Sequence, residues 1–85
     1  MVKILDFWAP WCGPCLMMKP IIEEIEKELK DKIKVVEINV DEKPDEATKY
    51  EVMSIPTFIV LKDEKEVGRK IGVTTKSELL KLINS

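Results

Sequence analysis

The chain has 85 residues, 45% of them hydrophobic and 35% charged, which is the balance of a globular protein in water with room for one modest core and one domain over residues 1–85. Its 14 basic and 16 acidic side chains leave a net charge of −2, and they alternate in sign along the chain, which argues against nucleic acid as a partner. No apolar run reaches the roughly 20 residues of a bilayer span. The N-terminus shows no basic segment followed by an apolar one and a cleavage site, so the expectation is a cytoplasmic protein that does not bind a membrane. With no histidine anywhere, imidazole is removed as base, acid or metal ligand. The chemistry rests on Cys, Asp, Glu, Lys or backbone.

Val2 to Ala9 is an apolar-rich run with one charge inside it, Asp6, and its continuity predicts a strand buried on both faces of a sheet. From Gly13 to about Lys30, the residues Met18, Ile21, Ile22, Ile25 and Leu29 fall at helical spacing. Glu23–Lys27 and Glu26–Lys30 form i,i+4 pairs on the opposite face. Pro20 lies inside this helix, removes one hydrogen bond and predicts a kink. Ile33 to Val40 alternates and is rich in β-branched residues, as a strand is. A helix between two strands makes a right-handed βαβ unit with the strands parallel. Pro44 to about Tyr50 is a short helix opened by proline. Thr57 to Leu61 is a third strand, Lys62–Lys65 a tight polar turn, and Glu66 to Ile71 a fourth strand antiparallel to the third. Thr75 and Glu78 form a capping box for a last helix carrying Leu79, Leu80 and Ile83. The predicted fold class is α/β, in the order β-α-β-α-β-β-α: a four-stranded mixed sheet flanked by three helices.

The two cysteines, Cys12 and Cys15, stand two residues apart where the first strand gives way to the first helix. A thiolate is the reactive species, and the free N–H groups and positive dipole end of a helix N-terminus stabilise it, bringing a thiol below its ordinary value of about 8.5. Cys12 receives most of that effect and is the expected nucleophile. Cys15, one turn inside, is placed to attack a mixed disulfide formed at Cys12 and so resolve it. Pro14 fits the first helical turn, where its missing N–H has no intrahelical use, and Gly13 leaves the approach to sulfur open. Two other uses compete. A structural staple closing about four residues restrains the unfolded chain by only about 2 kcal/mol, and a zinc site needs about four ligands where this chain offers one Cys pair and no His.

Asp6-Phe7-Trp8-Ala9-Pro10-Trp11-Cys12-Gly13-Pro14-Cys15, followed by Pro20, Ile55-Pro56-Thr57 and Gly72, resembles the thioredoxin family over essentially the whole chain. Full-length members carry a further strand and helix ahead of the segment matched here, so the resemblance implies the minimal four-stranded form of the fold. It implies a protein-disulfide reductase with no bound cofactor beyond a redox-active Cys12–Cys15 disulfide and no metal. It also implies a separate thioredoxin reductase as electron donor, protein disulfides as substrates and a monomeric state. By the same resemblance, Cys12 attacks, Cys15 resolves, and buried Asp6 accepts the Cys15 proton through water. A carboxylate in an apolar strand carries the raised pKa that such a base needs. Pro56 matches the family's cis proline, and an X–Pro bond adopts cis at low cost. The backbone of Ile55 is then expected to pair with an extended substrate segment on a platform of Trp11, Gly13, Pro14, Gly72 and Val73. Two positions depart from the family pattern. Glu37 stands where many members have a lysine near the buried aspartate, and Asp63-Glu64 replaces a frequent Asn-Gly turn. A glutathione-linked, glutaredoxin-like enzyme and a non-catalytic binding module around Trp11, Ile55 and Val73 are the alternatives.

Overall fold

The computed structural model describes all 85 residues, Met1–Ser85. In chain order they form β1 (Val2–Trp8), α1 (Gly13–Glu28), β2 (Ile33–Asn39), α2 (Pro44–Lys49), β3 (Thr57–Lys62), β4 (Lys65–Ile71) and α3 (Lys76–Ile83). The strands make one sheet in the order β2-β1-β3-β4. β1 runs parallel to β2 and antiparallel to β3, and β3 pairs antiparallel with β4. The expected order of elements and the mixed sheet are therefore both present. β1 is an inner strand, and Ile4, Leu5, Asp6 and Phe7 in succession are buried on it. A strand covered on both faces needs apolar residues at every position, which is why the run lacks alternation.

The two faces bury different sets. Ile4, Phe58 and Val60 of the sheet pack with Met18, Ile22 and Ile25 of α1 and with Leu79 and Ile83 of α3. On the other side Leu5, Phe7, Ile38, Ile59 and Leu61 pack under Ala47 and Tyr50 around α2. The helical stripe predicted for α1 is thus its buried face, and the helix runs on through Pro20.

Local chemistry sets the ends of the elements. α3 begins at Thr75, whose Oγ1 accepts the Glu78 N–H at 3.1 Å. The reciprocal half of the capping box does not form, because the Glu78 carboxylate faces Lys70 at 3.5 Å and Lys81 at 3.8 Å instead. The pairs expected within α1 are also absent. Glu23 and Glu26 instead line the cavity beside Asp6, Lys30 falls beyond the end of α1, and two other glutamates, Glu24 and Glu28, reach Lys76 and tie α1 to α3. β4 starts one residue earlier than expected, at Lys65, since the turn consists of Asp63 and Glu64 alone, with φ of 51° and 70°. Two successive left-handed residues are what a two-residue hairpin of matching twist requires.

Candidate functional site

β1 ends at Trp8, and the chain turns through Ala9, Pro10 and Trp11 before α1 begins at Gly13. The Cys12 N–H closes that turn by donating to the Ala9 carbonyl at 3.1 Å. Cys12 is the N-cap of α1, in extended conformation, and its Sγ accepts the Cys15 N–H at 3.2 Å. Cys12 and Cys15 are joined as a disulfide with their Cα atoms 5.3 Å apart. Both are almost fully covered, at 5% and 4% exposure, and they pack with Ala9 under Trp8, Val40 and Ile55. Gly13 and Pro14 lie exposed on the first turn, and a Cβ on Gly13 would meet nothing within 4 Å.

The loop before β3, the strand next to β1, packs against the dithiol cluster through Ile55. The Ile55–Pro56 peptide bond is cis. Pro56 is fully buried, and its carbonyl accepts the Gly72 N–H at 2.8 Å. Thr57 Oγ1 donates to the Ser54 carbonyl at 2.7 Å and steadies the same loop. Gly72, at φ 88°, holds a backbone conformation in which a side chain would be strained.

Trp11 and Ile55 meet at a shallow apolar groove of about 340 Å³ that Val40, Val52 and Met53 also line. The Trp11 indole is fixed there by donating Nε1–H to Asp41 Oδ2 at 2.7 Å. The expected platform is therefore brought together in two parts: Trp11 and Ile55 share the groove, while Gly72 joins Pro56 through the backbone. Val73 is exposed beside Gly72 and lines no cavity. Asp41 and Met53, the latter 94% exposed, were not legible as site residues in the sequence. A Trp-to-Asp hydrogen bond across 30 positions leaves no local pattern.

Asp6 sits on the α1 face of β1, in register with Glu37 of the parallel neighbour β2. It is 5% exposed, and its carboxyl is raised to about 7, first by burial and next by the Glu37 charge, with Lys19 pulling the other way. Asp6 is thus a desolvated carboxylate on an inner strand and not a solvated one at an edge. Lys19 is a neighbour that the sequence reading missed. Its only signal was a position four residues beyond Cys15, on the same face of α1. No group of three or more His, Cys, Asp or Glu side chains is arranged to hold a metal ion, and no helix is long and apolar enough to cross a membrane.

A disulfide capping a helix that follows an inner strand, with a cis proline loop packed against it and a buried carboxylate on that same strand, defines a thiol–disulfide oxidoreductase. The thioredoxin family profile matches residues 2–85. The chain is 52% identical to the thioredoxin of Bacillus subtilis over 83 residues, covering 98% of this chain and 80% of that one. It is also 52% identical to the Rickettsia typhi thioredoxin over 81 residues, 95% of this chain and 77% of that one. Among solved structures, oxidised mitochondrial thioredoxin 3 from Saccharomyces cerevisiae superposes with a TM-score of 0.89 at 38% identity, over 98% of this chain and 76% of its own. A malarial protein superposes at 0.92 with 30% identity, over 99% and 94% respectively. The chain belongs to the thioredoxin family and is a thioredoxin-type disulfide reductase, a class that acts on protein disulfides and is recharged by a reductase.

Proposed function

We propose that the chain is a single-domain, monomeric, cytoplasmic electron carrier that reduces protein disulfides, with Cys12 as nucleophile, Cys15 as resolving thiol and Asp6 as base. The observation that carries this reading is the Cys15 N–H pointing at Cys12 Sγ from the first turn of α1. In the reduced protein the same N–H and the helix dipole stabilise a thiolate at Cys12 and not at Cys15, which lies one turn further in.

The reaction balances as two exchanges. The Cys12 thiolate attacks one sulfur of a target disulfide, forming a mixed disulfide and expelling the other target sulfur as a thiolate, which takes a proton from water. The Cys15 thiol then gives its proton through water to the Asp6 carboxylate, and its sulfur attacks Cys12 Sγ. The Cys12–Cys15 bond forms as the second target thiolate leaves. Two electrons have passed to the target. A carboxylate with a midpoint of about 7 takes and returns a proton at neutral pH, as a general base must.

The backbone of Ile55 supports an extended target segment as an added strand, with Trp11, Gly13, Pro14, Pro56, Gly72 and Val73 around it. The electron donor is a dedicated thioredoxin reductase. Reduction of insulin in the presence of a chemical reductant tests the activity: insulin precipitates well ahead of the reductant-only control. Equal rates would sink the reading.

A further inference from the structure

Asp6 and Glu37 are in-register neighbours on parallel strands, on the face that α1 covers. Strands lie about 4.8 Å apart, so two carboxylates stand side by side where like charges oppose one another. The two line a cavity of about 140 Å³ beneath α1, whose other charged walls are Lys19, Glu23 and Glu26 of that helix. Lys19 is therefore the single cation facing Asp6 among three other carboxylates. β3, on the far side of β1, offers Phe58 opposite Asp6 and no charge.

Lys19 does not dangle. Its Nζ stands 3.6 Å from Glu37 Oε2 and 4.3 Å from the centre of the Trp8 ring, and that indole packs against the dithiol. The cation–π contact on one side and the carboxylate on the other hold the ammonium over the cavity. The side chain is only 38% exposed, so water screens its charge incompletely.

We infer that Lys19 is a positioning residue for the exchange reaction, its ammonium held by Trp8 and Glu37 so that it offsets the Glu37 charge at Asp6. The inference rests on Asp6 as the base for Cys15. With Glu37 alone beside it, Asp6 would stay protonated further above neutrality and be short of carboxylate when Cys15 must lose its proton.

The test is a titration of the Asp6 carboxyl by carbon NMR in the oxidised protein, where the cysteines do not titrate, with the pH profile of mixed-disulfide resolution measured alongside. Lys19→Met raises the Asp6 midpoint by about half a pH unit or more, and the resolution profile moves alkaline with it. Lys19→Arg restores both, and Glu37→Gln lowers the Asp6 midpoint. An unchanged Asp6 midpoint in Lys19→Met overturns the inference, as does an equal shift in Lys19→Met and Lys19→Arg, which would mean packing and not charge. A midpoint that moves while the resolution profile stays fixed upholds the hold of Lys19 on Asp6 and refutes Asp6 as the base.

Discussion

Replacing Asp6 by Asn tests the buried carboxyl through stability as well as through chemistry. In the folded protein the group ionises at about 7, against 3.8 for the ordinary side chain. Between about pH 4 and pH 7 the unfolded chain has lost this proton while the folded chain keeps it. Stability therefore falls as pH rises through that window and stays at its lower level above it. About three units at 1.36 kcal/mol each amount to roughly 4 kcal/mol. Asn has nearly the same shape and never ionises, so Asp6→Asn escapes the loss. The variant gains up to roughly 4 kcal/mol over wild type above pH 7, and the gain fades to a constant offset below pH 4. Urea unfolding of both oxidised proteins across this range reads the difference directly, since neither cysteine titrates. The same variant slows resolution of the mixed disulfide at neutral pH by about 100-fold. A stability difference that is flat with pH would refute the desolvated carboxyl, whatever its sign.

Other substitutions probe the remaining parts. Cys15→Ser leaves a nucleophile without a resolver, so mixed disulfides with target proteins accumulate on non-reducing gels; Cys12→Ser yields none. An adduct through Cys15 alone would reverse the two roles. Replacing Asp63-Glu64 by Asn-Gly relieves two left-handed residues and raises stability by about 1 kcal/mol, net of the surface pairs with Met1 and Lys3, each worth about 0–1 kcal/mol. The midpoint of denaturant unfolding shows the gain, and an unchanged midpoint would mean that the turn holds no strain. At Gly68 an added Cβ would meet the Cδ1 methyl at the far end of the half-buried Leu82 side chain. Because that methyl can swing aside, Gly68→Ala costs no more than about 1 kcal/mol, and Leu82→Ala in the same chain removes that cost in a double-mutant cycle.

Much of the fold was legible because its signals are local. The unbroken apolar run of β1 announced an inner strand, the spacing of Met18, Ile22 and Ile25 announced one packed face of α1, and Thr75 announced the start of α3. The element boundaries moved by a residue or two, as at Lys65, where the turn is tighter than composition suggests. The ion pairs of α1 were misread for a physical reason: Glu23 and Glu26 line the cavity beside Asp6, Lys30 lies past the end of the helix, and it is Glu24 and Glu28 that find a cation, Lys76, on another helix, a choice no spacing within α1 encodes.

The sequence by itself determined the dithiol, its place at a strand-to-helix junction, the absence of imidazole chemistry and the carboxylate embedded in an apolar strand. These depend on residue type and short spacing, which the chain states outright. Only the tertiary structure decided what surrounds them. It fixed the strand register that puts Glu37, already expected near Asp6 from the resemblance, directly beside it, brought Lys19 over both, joined Trp11 to Asp41 and hung Gly72 on the Pro56 carbonyl. Each is a contact between parts of the chain whose separation is fixed by packing, and charge acts through space and not along the backbone.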